Sequence, residues 1–175
     1  VAYDMGISTL TAATLLHRGI RSQREAETFL NGDLSQLSDA RLLKDLPQGV
    51  ETVFMALKQG KRIAIYGDYD VDGITTARLV TSFLRAKGLD CEPYIPDRME
   101  EGYGLNLAAM DTIKARGASL IVTVDCGITA AQEAGYAASL GMDMVITDHH
   151  ECGACPLPAA VAEVDPKRPG SPYPN

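Results

Sequence analysis

Arg62-Ile63-Ala64-Ile65-Tyr66-Gly67-Asp68-Tyr69-Asp70-Val71-Asp72-Gly73-Ile74 decides the fold. A short, continuously apolar run, Ile63 to Tyr66, reads as a strand buried on both faces. It breaks into three aspartates spaced by two, then a glycine. From Ile74 to Lys87 the period becomes helical, with Ala77, Val80, Thr81 and Leu84 on one face and Gly88 as the stop. Strand, acidic turn and helix make the first half of a β-α-β unit.

The same alternation continues downstream. Cys91 to Ile95 reads as a strand, and Asn106 to Arg116 as a helix ended by Gly117. Leu120 to Val124 is an almost uninterrupted β-branched strand. Thr129 to Leu140 is a helix, Met144 to Thr147 a strand, and Ala160 to Val164 a fifth strand. The alternation predicts an α/β fold: a mostly parallel sheet with helices on both faces. Upstream, a small helical region is expected over residues 1–60. Ser8 caps a first helix, Ser22 and Glu25 form a capping box for a second, and Pro47 to Gly60 carries a third. The α/β domain is expected over 61–175.

In open α/β sheets, ligands bind beyond the carboxyl ends of the strands. Three predicted strand ends each deliver acid there: Asp68-Tyr69-Asp70-Val71-Asp72, then Asp125-Cys126-Gly127, then Asp148-His149-His150-Glu151. In extended backbone, alternate side chains point the same way, so Asp68, Asp70 and Asp72 are expected to share one side, with Tyr69 and Val71 turned into the packing. Such crowding is tolerated if cations neutralise it or if some carboxylates stay protonated. Divalent ions are the simpler answer, with at least one of the adjacent histidines as a ligand. Mixed Asp and His ligation suits Mn²⁺, with Mg²⁺ as the alternative. A capping role would explain one aspartate but not three converging strand ends.

The 175 residues carry 16 basic and 23 acidic side chains, a net charge of −7. That excludes a generic basic nucleic-acid coat, but an acidic cluster loaded with divalent ions can still bind phosphate. No apolar run approaches the roughly 18 residues that span a bilayer, and no secretory signal opens the sequence. A cytoplasmic location and no membrane partner are expected. Cys152 and Cys155 form a C-x-x-C without the second pair that a zinc site normally needs, so they are read as neither a zinc site nor a redox pair. Lys61, Arg62, Lys114, Arg116, Lys167 and Arg168 are read as solvated charges. Arg98 and Tyr103, in the long connection after the second strand, are candidates for a phosphate clamp and a stacking platform.

Gly67-Asp68-Tyr69-Asp70-Val71-Asp72-Gly73-Ile74-Thr75, Val124-Asp125-Cys126-Gly127 and Asp148-His149-His150-Glu151 resemble the first three motifs of the DHH phosphoesterases. Pro96-Asp97-Arg98, Glu101 to Asn106, Asp165-Pro166 and the helical amino-terminal region are similar to its branch of single-strand-specific exonucleases. Many members carry histidine where Tyr66 stands; that branch does not. The resemblance implies that Asp70, Asp72, Asp125 and His149 are ligands of two Mn²⁺ or Mg²⁺ ions, that Asp68 assists them, and that His150 sits near the scissile phosphate. It implies metal-dependent 5′→3′ hydrolysis of single-stranded DNA in recombination and repair. The partners it implies are single-stranded DNA, a single-strand-binding protein and a helicase, around a monomeric enzyme. In that family a fourth aspartate motif and a substrate-gripping domain follow, so the 61–175 domain is expected to be truncated and of reduced activity on its own. A nanoRNase, a cyclic-dinucleotide phosphodiesterase or a pyrophosphatase would share the same metal site. A non-catalytic nucleic-acid-binding scaffold is the alternative of a different class. A haloacid-dehalogenase-like phosphatase fits poorly, because Ile74 stands where its motif needs threonine.

Overall fold

The computed structural model describes residues 5–153 and 156–174. The chain forms two compact units, Val1–Ser38 and Asp39–Asn175. In the first, α1 (Thr9–His17) starts where the Ser8 hydroxyl accepts the Thr11 N–H. The second helix, α2 (Gln23–Leu30), opens on a capping box: Ser22 Oγ accepts the Glu25 N–H, and the Glu25 carboxylate accepts the Ser22 N–H at 2.9 Å. These two reciprocal bonds satisfy donors that a helix start otherwise leaves orphaned. A single 3-10 turn, Leu34–Gln36, follows.

The third helix, α3 (Leu46–Lys58), lies in the second unit. Its apolar spacing places Val53, Ala56 and Leu57 on the sheet. Gly49 permits close contact there: a Cβ at that position would stand 3.3 Å from Val145 and 3.6 Å from Ala162. Periodicity identifies such a face but not the surface it covers.

The sheet contains β1 (Ile63–Gly67), β2 (Cys91–Tyr94), β3 (Leu120–Val124), β4 (Asp143–Thr147) and β5 (Ala162–Val164). Its order is β2-β1-β3-β4-β5, and every pairing is parallel. α3 and α4 (Val71–Ala86) cover one face, while α5 (Leu107–Ala115) and α6 (Ala131–Ser139) cover the other. β1 shows why its sequence is continuously apolar: Ile63 and Ile65 join the first layer, Ala64 and Tyr66 the second. All four are fully buried. Burying each large side chain contributes about 1.5–3 kcal/mol. Among the described residues, no helix is long and apolar enough to cross a membrane.

This strand order reverses direction between β1 and β3, which makes the crevice at their carboxyl ends the natural ligand position. The register sharpens that placement. Gly67 pairs with Val124, Val124 with Thr147, and Thr147 with Val164. Each of these is the last residue of its strand, and each is followed by an aspartate. Asp68, Asp125, Asp148 and Asp165 therefore form a row across the carboxyl edge, and all four are buried. The fifth strand thus adds Asp165, which the reading of three strand ends does not include among the site residues.

Candidate metal centre

The first acidic segment differs from its sequence reading. α4 begins at Val71, three residues before the expected start, because Asp70 caps it: Asp70 Oδ1 accepts the Gly73 N–H at 3.0 Å. Asp70 keeps an extended conformation, but Val71 and Asp72 are already helical, so the two-residue alternation does not run through all three carboxylates. Asp68 turns inward, 1% exposed, and accepts the Tyr69 N–H at 2.7 Å. Asp70 and Asp72 are exposed, and Val71 points to solvent rather than into the packing. Helix geometry replaced the two-residue period. Gly73 is required by contact, since a Cβ there would meet the Asp68 carbonyl oxygen at 2.3 Å.

Asp125 follows β3 with φ +62°, a left-handed conformation that costs a residue bearing a Cβ. The turn leaves its Oδ1 2.8 Å from His149 Nε2. Its Oδ2 is buried, with no hydrogen-bond partner among the described residues. Burial first, then the Asp70 carboxylate, pushes the Asp125 carboxyl up. Asp70 is held below the ordinary carboxylate range, chiefly by the Gly73 N–H. Asp125, His149 and His150 each offer a ligand atom within 4.8 Å of the others. An orphaned buried oxygen beside a second carboxylate and two imidazoles is a donor set that suits a divalent cation.

Asp148 has a different task. Its side chain is only 2% exposed. Oδ1 accepts the His149 N–H at 2.7 Å, the His150 N–H at 3.2 Å and the His150 Nδ1–H at 2.7 Å. Oδ2 accepts the Ile128 N–H at 2.9 Å. This carboxylate orients His150, ties the β3–α6 connection to the β4 end, and raises the His150 pKa. Carboxylate–imidazole pairs of this kind fix tautomer and ring direction.

The connection after β2 reaches the same edge. The buried Tyr66 donates its hydroxyl proton to the Gly104 carbonyl at 2.9 Å. Glu101 accepts the Tyr94 O–H at 2.6 Å and the Asp97 N–H at 2.7 Å. These bonds hold Tyr103, whose hydroxyl lies 3.4 Å from His150 Nε2. Tyr69 stands edge-on to Tyr103, and the Arg98 guanidinium lies 5.3 Å from the Tyr69 ring centre. Arg98, Tyr69, Tyr103 and His150 thus form a strip leading to Asp125. Arg168, read as a solvated charge, is instead 14% exposed and clasped between Asp45 and Glu163. Cys91, Cys126 and Cys152 are buried free thiols, while the Cys155 half of the C-x-x-C lies outside the described residues.

Fold and site together define a doubly wound α/β protein with an acid–imidazole centre at its switch point. The chain belongs to the DHH family, whose N-terminal domain matches residues 62–172. It is 42% identical to the single-stranded-DNA-specific exonuclease RecJ of Bacillus subtilis, over 98% of this chain and 22% of that protein. With the protein of the same description from Escherichia coli, identity is 40% over 85% of this chain and 25% of the relative. The chain therefore spans about a fifth to a quarter of the length of these curated relatives. The crystal structure of exonuclease RecJ bound to manganese is similar, with a TM-score of 0.67 and 38% identity, over 73% of this chain and 32% of that one. RecJ in complex with Mn²⁺ from Thermus thermophilus superposes with a TM-score of 0.61 and 34% identity, over 95% and 22%.

Proposed function

We propose that this chain provides the metal-binding part of a hydrolase that degrades single-stranded DNA from its 5′ end, releasing 5′-mononucleotides. One observation carries the reading: Asp125, with one buried oxygen unpartnered among the described residues, stands with His149 and His150 so that a ligand atom of each lies within 4.8 Å of the others, and Asp70 is its neighbouring charge. The relatives' description as single-stranded-DNA-specific exonucleases, and the manganese in two similar structures, support it.

Asp70, Asp72, Asp125 and His149 would hold two Mn²⁺ or Mg²⁺ ions, with Asp68 supporting the loop from within. Bound there, divalent ions supply an activated water and neutralise charge at the phosphorus. The chain's own groups do the rest. Asp148 fixes the His150 ring, and His150 meets the scissile phosphate. Arg98 clamps a neighbouring phosphate, and Tyr103 offers a stacking face. Monomeric action at strand ends exposed by a helicase, or coated by a single-strand-binding protein, belongs to the same reading.

The test uses the full-length protein, a 5′-labelled single strand and Mn²⁺. Asp125→Asn and His149→Ala should each reduce mononucleotide release to background with the fold retained by circular dichroism. Undiminished release by both variants overturns the assignment.

A further inference from the structure

A cleft of about 580 Å³ opens directly beside His150, a volume usual for small-molecule sites. Tyr103, Leu105, Ala130, Glu133, His150 and Glu151 are among the residues that line it. Its carboxylates are Glu133, Asp148 and Glu151, and among the described residues no lysine or arginine lines it. Lys167 beside the cleft is already paired with Glu151 at 3.1 Å, and a phosphate placed in the cleft would face repulsion from the Glu133 carboxylate. The uncharged part of a nucleotide would not. Tyr103 is 61% exposed and presents a ring on which a base can stack. Leu105 and Ala130 add apolar surface.

Glu133 supplies the polar selection. It is half-buried in the first turn of α6. Among the described residues, no hydrogen bond or ion pair engages its carboxylate. An ionised carboxylate is acceptor-only. It therefore selects bases by the N–H groups they present. Guanine carries two adjacent N–H donors, N1 and N2, which a carboxylate accepts as a bidentate pair. Thymine offers one imino N–H between two carbonyl oxygens that a carboxylate repels.

We propose that this cleft receives the nucleobase adjoining the scissile phosphate, with Glu133 accepting its N–H groups and favouring guanine over thymine. The proposal rests on the nuclease reading above and names the part of the substrate held beside the reacting centre.

The experiment uses the full-length protein and oligothymidylates carrying one guanine at the first or second position. For one of those positions, kcat/KM of the step should exceed that of the all-thymine strand by roughly fivefold or more. Glu133→Gln should bring that ratio close to one. A guanine effect absent at both positions, or unchanged in Glu133→Gln, overturns the base-pocket assignment. Failure of the wild-type protein to degrade any strand with Mn²⁺ would instead overturn the nuclease reading. In that case the pocket is tested by saturation-transfer NMR with deoxyguanosine and thymidine. Stronger transfer to deoxyguanosine that Glu133→Gln removes supports it, and equal transfer in both proteins overturns it.

Discussion

Asp148 holds His150 from beneath: a buried carboxylate oxygen accepts the imidazole Nδ1–H at 2.7 Å, while its second oxygen accepts the Ile128 N–H at 2.9 Å. The two bonds couple the ring to the β3–α6 connection. Asp148→Asn keeps the volume but loses the charge and presents an amide hydrogen to one of these donors. In the full-length protein, kcat on single strands should fall about 10- to 100-fold. KM should move less, because no substrate contact is removed. An unchanged kcat would show that ring orientation does not limit the reaction.

Asp125 predicts a metal-linked stability. A ligand that binds only the folded state adds about 2.7 kcal/mol at a hundredfold excess over its Kd. Mn²⁺ should therefore raise the melting temperature of the wild-type chain by several degrees, and chelation should reverse the shift. Asp125→Asn, which tolerates the left-handed backbone at φ +62°, should lose most of that shift. Equal Mn²⁺ shifts in both proteins, read by differential scanning calorimetry, would remove Asp125 from the ligand set.

Gly73 packs against the backbone that presents Asp68 and Asp70. In Gly73→Ala the new methyl would sit 2.3 Å from the Asp68 oxygen and 2.6 Å from its nitrogen. Neither is a flexible side-chain end, so the loop or α4 must move. Overpacking of this kind costs about 1–3 kcal/mol. Urea unfolding should show the loss, and the Mn²⁺ shift should shrink along with it. A variant as stable as wild type would contradict the contact.

Asp165 predicts how stability varies with pH. It is fully buried, and its Oδ2 has no partner among the described residues. Burial, with Asp148 nearby, pushes its carboxyl above the ordinary 3.8. An acid raised in the folded state binds its proton more tightly there than in the unfolded chain. Its contribution is therefore present below pH 3.8 and lost as pH rises through the folded value. Asp165→Asn removes that loss while retaining an acceptor for the Lys167 N–H. Relative to wild type, the variant should gain on the order of 1 kcal/mol between about pH 4 and neutrality. A flat difference across that window, measured by denaturant titration at each pH, would refute the buried-acid account.

What the sequence by itself determined is the alternation of elements and the identity of the edge that carries the chemistry. Ile63–Tyr66 and Leu120–Val124 are apolar at every position but Thr123 because both sheet faces are covered, and that pattern needs no tertiary knowledge to read. The motif residues around Asp70, Asp125 and His149 were legible for the same reason: they directly follow such runs. Tertiary structure alone decided how the acids divide. Asp68, Asp70 and Asp72 looked equivalent at a spacing of two. Only the helix start at Val71, set by which side chain captures the Gly73 N–H, sends Asp68 inward and leaves Asp70 and Asp72 outside. Asp148 likewise looked like one more strand-end acid, until the register placed it under His150. Strand ends recognisable in sequence as carriers of acid thus became a row of four buried aspartates, one per strand from β1 and β3 to β5. Their separate tasks follow from hydrogen bonds between segments distant in sequence, which local periodicity does not encode.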